Sequence, residues 1–122
     1  MSILYQASVE GIMVIPYVRM TRQSKWNKQA KRYLDTQQAL AWEFKKVYHN
    51  KEPIDEPCIM SYSVHLPHRR RVDDDNIRKA LQDALQYAGV IKNDYLIKGT
   101  DKTRTWQDGK SRVVVTLKRL EE

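Results

Sequence analysis

The chain has 122 residues, enough for one modest domain and its core and too few for a second. Lys and Arg outnumber Asp and Glu by 22 to 15, leaving a formal charge of +7 that favours a polyanionic partner without naming which. One cysteine, Cys58, excludes an internal disulfide, no Cys/His spacing suits structural zinc, and no apolar run approaches the roughly 20 residues of a membrane-spanning helix. A reducing, cytoplasmic setting is the expectation.

In chain order, Ile3, Tyr5, Ala7 and Val9 alternate with Leu4, Gln6 and Ser8, which predicts a half-buried strand over 3–9. Residues 11–25 mix Pro16, Arg19, Arg22 and Ser24 without a period and read as an extended, basic connection. Ala30, Tyr33, Leu34, Ala41, Phe44 and Val47 recur at helical spacing and predict a helix over 27–48, with Lys, Arg and Gln on its other faces. Between Arg19 and Lys51 nine basic residues face two acids, so this stretch alone carries +7 and the rest of the chain sums to zero.

A turn over 51–57 leads to a strand with Met60, Tyr62, Val64 and Leu66 on one face and Ser61, Ser63 and His65 on the other, ended by Pro67. Ile77, Ala80, Leu81, Ala84, Leu85 and Ala88 follow the i, i+3, i+4, i+7 pattern, predicting a helix over 76–88 that Gly89 terminates. Beyond a loop with Asn93 and Asp94, a mostly polar strand over 96–106 is expected to turn at Asp108-Gly109 into a strand over 112–118, as a hairpin. The sum is an α+β fold, one domain over 1–122 with a mixed sheet and two main helices.

The stretch Arg69-Arg70-Arg71-Val72-Asp73-Asp74-Asp75-Asn76 sets three cations against three anions at the start of the second helix. Adjacent carboxylates repel, so they need a divalent cation, a helix N-terminus or the arginines to offset them. One reading is a cap, with Asp74 or Asp75 at the N-cap, worth about 1 kcal/mol, and Arg69 to Arg71 neutralising the cluster. Capping uses one carboxylate, however, and the excess suits a hard cation such as magnesium, which takes oxygen ligands and keeps several waters. Lys79, one turn beyond Asp75, either reaches a phosphate or forms an ordinary i, i+4 ion pair. Asp94 completes the ligand set if it folds back onto the acidic step.

This pattern resembles the RusA family of phage and prophage Holliday-junction resolvases. The resemblance is carried by Pro67-His68-Arg69-Arg70-Arg71, Asp73 to Asn76, Lys79, Asp83-Ala84-Leu85, Gly89 and Asn93-Asp94. It implies that Asp73, Asp75 and Asp94 ligate magnesium, or manganese in its place, that Lys79 assists at the phosphate and that Asn76 supports the site. It further implies a RusA-like, intertwined homodimer that nicks four-way DNA junctions symmetrically in recombination and repair, in a bacterial cytoplasm and from a phage or prophage source. Val72, where relatives continue the arginine run, and Asp74, where they carry an apolar residue, depart from the pattern.

Arg69, Arg70, Arg71, Arg19, Arg22 and Lys25, with Lys28, Lys31 and Arg32, are the expected phosphate contacts. Trp26 and Trp106 read first as core or dimer-interface residues and second as platforms for an unpaired base. His65 and His68 read as structural, and Tyr5, Trp42, Tyr87 and Trp106 as interface anchors. Two rival readings stand beside the resolvase: a DNA-binding module without catalysis, and a metal nuclease that tolerates other branched or duplex DNA.

Overall fold

The computed structural model describes residues 2–17, 28–49 and 51–120. Five strands and two helices follow in the order β1 (Ile3–Glu10), α1 (Lys28–Tyr48), β2 (Cys58–His65), α2 (Asp74–Tyr87), β3 (Ile97–Thr100), β4 (Arg104–Trp106) and β5 (Arg112–Arg119). A short 3-10 turn, Asp94–Leu96, precedes β3. This is the small α+β architecture with a mixed sheet and two helices that the sequence predicts.

The strand period of two decides which face is covered. Antiparallel pairing of β1 with β5 and of β5 with β2 aligns the rows Tyr5–Leu117–Met60, Ala7–Val115–Tyr62 and Val9–Val113–Val64. All nine of these residues are buried. At roughly 1.5–3 kcal/mol for each large apolar side chain fully buried, these rows set the register, because a slip by one residue sends every one of them to water. The buried stripe of α2, Ile77, Ala80, Leu81, Ala84 and Leu85, joins the same core. Its end is a Schellman turn: Gly89 takes φ +76, its N–H bonds Gln86 O at 3.0 Å, and Val90 N–H bonds Leu85 O at 3.1 Å.

Two expectations about the later strands need correction. The stretch over 96–106 is two short strands, broken where Lys102 takes φ 53, and both pair in parallel with β2. The hairpin across Asp108-Gly109 does not form, because β4 and β5 flank β2 on opposite sides. The chain wraps the end of β2 instead, with Leu66 N–H bonded to Trp106 O at 2.8 Å and Gly109 N–H to Leu66 O at 3.3 Å. The Asp-Gly pair does turn the chain, with Gly109 at φ +81. Pairing follows burial: apolar β5 takes a central place between β1 and β2, and polar β4 takes an edge.

In α1 the inward face carries Gln37, which is buried, whereas Leu34 and Val47 are 45% and 42% exposed. Gln37 replaces hydrophobic contact by pairing its amide: Nε2 donates to Ala80 O at 2.9 Å and to the Tyr33 hydroxyl at 3.0 Å. The helix ends where His49 takes φ 55. Tyr5 is core rather than interface, its hydroxyl bonding Phe44 O at 2.9 Å. Cys58 is buried in β2, and burial pushes its thiol up to about 11.

Candidate active site

The acidic run resolves its own repulsion by starting the helix earlier than periodicity predicts. Asp73, extended at φ −96 and ψ 120, is the N-cap; Asp74 and Asp75 are not. The Asp73 carboxylate accepts the Asp75 N–H at 2.9 Å, and its carbonyl accepts the N–H groups of Asn76 and Ile77. Asp74 and Asp75 then occupy the first turn, where the helix dipole favours negative charge by about 0.3–1 kcal/mol each. Asp74 receives the Thr105 hydroxyl at 3.5 Å, while the Asp75 side chain is 75% exposed and meets Arg78 at 3.8 Å.

Asp73 and Asp75 therefore sit together at one helix end, facing water. Asn76 contributes its carbonyl, which accepts the Tyr17 N–H at 2.9 Å and ties the chain before the basic connection to this turn. One turn along, the Lys79 ammonium lies over the Tyr17 ring, 5.6 Å from its centroid. Arg19, Arg22, Lys25 and Trp26 lie outside the described residues.

The loop before the cap is anchored by its backbone and leaves its cations outward. Arg70 N–H bonds His68 Nδ1 at 3.2 Å, and Gln107 Nε2 bonds Arg70 O at 2.7 Å. Arg69, Arg70 and Arg71 are all exposed. Arg70, Arg71 and His68 line one side of a groove of about 260 Å³ whose other side carries Arg32 and Gln29 of α1. Its lining holds no carboxylate, so the groove is suited to an anion.

Asp94 occupies a different place. Its N–H bonds Gln86 Oε1 at 3.0 Å, and with Asp83, Tyr33, Gln37 and Tyr87 it lines a cavity of about 590 Å³ between α1 and the far half of α2. Asp83 accepts the Tyr33 hydroxyl at 3.3 Å. Burial holds the Asp83 carboxyl above its ordinary range; Asp94 raises it further, while Tyr33 and Lys79 pull it down. Helical rise puts Asp83 about 12 Å along the axis from Asp75, at about 1.5 Å per residue. Within one copy, then, Asp73 and Asp75 meet, Lys79 stands between the two ends, and Asp94 does not fold back to the acidic step. Among the described residues no three of His, Cys, Asp and Glu converge on one point.

The donor chemistry fits a hard divalent cation: carboxylate oxygens in water at a helix N-terminus, with one Asp73 oxygen spent on the cap and the other free. Two carboxylates plus waters and a phosphate oxygen make an acceptable magnesium shell, and a third carboxylate completes it. The Tyr33–Gln37–Asp83 network went unread in the sequence, although Tyr33 and Gln37 are i, i+4 and Asp83 is i+4 from Lys79.

Two comparisons with known proteins bear on this geometry. The family described as endodeoxyribonuclease RusA matches residues 9–118, a span that includes both helices and the acidic run. A protein of Aquifex aeolicus (strain VF5), named crossover junction endodeoxyribonuclease RusA, is 34% identical over 77 residues, covering 63% of this chain and 60% of that relative. The chain thus spans less than two thirds of the length of that relative. With the family match running through nearly the whole fold, the chain belongs to the RusA endodeoxyribonuclease family.

Proposed function

We propose that this protein is a magnesium-dependent endonuclease that cuts four-way DNA junctions by hydrolysing phosphodiester bonds, as a homodimer. The observation that supports this best is the cap: Asp73 and Asp75 are presented together, exposed, beside a carboxylate-free groove lined by Arg70, Arg71 and Arg32. A phosphate bound by the arginines brings its anionic oxygens to the acidic end of α2. Asp73 and Asp75, joined by Asp94 of a second copy, would hold the cation that makes this approach favourable. When bound, such an ion polarises the phosphoryl group and lowers the pKa of an attacking water. Lys79 stabilises negative charge developing on the phosphate, an effect worth several kcal/mol where water is excluded.

The place of Asp94 supports the dimer. With about 16 Å of helix between Asp75 and Gln86, the residue that anchors the Asp94 backbone, an Asp94 on a second copy completes the oxygen set that one copy leaves short. A four-way junction is itself nearly twofold, so a twofold pair of copies offers one cutting site to each of two opposed strands. The exposed Trp42 and Tyr87, 61% and 73% accessible, are among the apolar side chains available for that contact.

The test is cleavage of an end-labelled four-way junction with and without magnesium, by wild type beside Asp75→Asn. Wild type nicks two opposed strands only with the ion; the variant, still folded because Asp73 keeps the cap, binds and does not nick. Nicking by the variant refutes the site. A wild type that shifts the junction in either buffer and never cuts it is a binding module instead.

A further inference from the structure

The edge strand β4 carries an arrangement that neither hydrolysis nor folding uses. His65 pairs with Trp106 across β2 and β4, and their rings stack with centroids 6.1 Å apart and planes 12° from parallel. The His65 ring is held at its edge by Asp108, whose Oδ2 accepts from Nδ1 at 2.7 Å. The guanidinium of Arg104 lies 4.9 Å from the centroid of the Trp106 ring, which remains 41% exposed.

An indole left this open on a short edge strand contributes little to the core, and its neighbours hold it flat instead of burying it. The strand also joins the two halves of the candidate site. Thr105 donates to Asp74 at the acidic step, and Gln107 bonds the carbonyl of Arg70 in the arginine loop. Alternation along β4 sends Thr105 toward α2 and Trp106 toward the opposite face, and the bond from Gln107 keeps Trp106 one residue from the arginine loop, so only DNA that wraps this edge meets both.

We infer that Trp106, backed by His65, is a stacking platform for an unpaired base beside the cleaved phosphate, with Arg104 moving from the indole to a flanking phosphate as the base arrives. This rests on the reading of the protein as a junction nuclease and adds the element that holds the opened crossover. Bases at a four-way crossover have lost a stacking partner on one side, and an aromatic face replaces it whatever the sequence. Duplex DNA, with every base stacked, gains nothing from the platform. Because Asp108 and His65 orient the indole before DNA binds, little ordering remains to be done on contact.

The experiment removes Trp26 and Trp42 by substitution with Phe, leaving Trp106 as the one indole of the three in the chain. Its emission is followed as unlabelled junction or duplex is added in magnesium-free buffer. Expected is strong quenching by junction and little by duplex. In the otherwise native chain, Trp106→Ala weakens junction binding about tenfold, Trp106→Phe recovers most of it, and Arg104→Ala retains the preference for junction over duplex with a shallower salt dependence. Emission unchanged at saturating junction, or Trp106→Ala binding as wild type does while melting as a folded protein, overturns the platform. Cleavage by wild type with a silent Trp106 overturns the platform alone. Quenching without any cleavage overturns the nuclease reading and leaves the stack in place.

Discussion

The two ends of α2 hold carboxylates in opposite physical circumstances. At the N-terminus, Asp73, Asp74 and Asp75 face solvent and are offset by one backbone N–H, the Thr105 hydroxyl, Arg78 and the helix dipole, so a dense negative charge is tolerated there. At the far half, Asp83 is drawn into a cavity beneath Tyr33 and Gln37, where burial works against its charge and Asp94 adds to that pressure. Acidic residues on one helix thus need not form one centre. One end leaves its carboxylates open to water, and the other draws a second carboxylate pair into a cavity between the helices.

Complementation between the two ends carries the largest expected effect. Asp75→Asn and Asp94→Asn are each expected to cut no junction. Mixed and allowed to exchange subunits, they regain nicking, because one heterodimer site then has both wild-type carboxylates. If the mixture stays inactive while exchange is verified by native mass spectrometry, the two ends act within one copy and the dimer argument falls.

Next in size is the polar link that fixes the second end. Gln37→Leu removes hydrogen bonds to Ala80 O and to the Tyr33 hydroxyl, and is expected to destabilise by about 1–2 kcal/mol. A lower urea midpoint with an unchanged slope records it; an unchanged midpoint means that the network contributes nothing to folding.

The smallest effect concerns Asp83 itself. Its folded-state pKa lies above the ordinary 3.8, so the native state holds the proton more tightly than the unfolded chain does. Stability from this group is complete below that ordinary value and is lost as pH rises through the folded one. At pH 7 the charged carboxyl therefore works against folding, and Asp83→Asn, which keeps an acceptor for Tyr33, melts slightly higher than wild type. The gap narrows as pH falls toward 4. A variant that melts lower at pH 7 contradicts the sign.

Much of this was readable from residue order. The alternation in β1, β2 and β5 and the stripe of α2 fix the core because their side chains leave no other face to bury. Gln37 was not readable, since a polar residue on an apolar face gains its place only from partners 4 and 43 residues away. The hairpin was misjudged for a related reason: Asp108-Gly109 specifies a turn, while the neighbour of β5 is chosen by the valines of β2 and β5 across the sheet. The acidic cluster announced a charged helix start, yet which aspartate caps it depends on backbone angles at Asp73. The separation of Asp94 from that start follows from the rise of α2 together with the anchoring of the Asp94 N–H to Gln86.

Cys58 gives the molecule a built-in clock. Its thiol is sealed in β2, flanked by the partners Ile97 on β3 and Arg119 on β5, so a thiol-specific reagent reaches it only when this middle strand parts from its neighbours. The speed of labelling then counts openings of the sheet without any engineered probe.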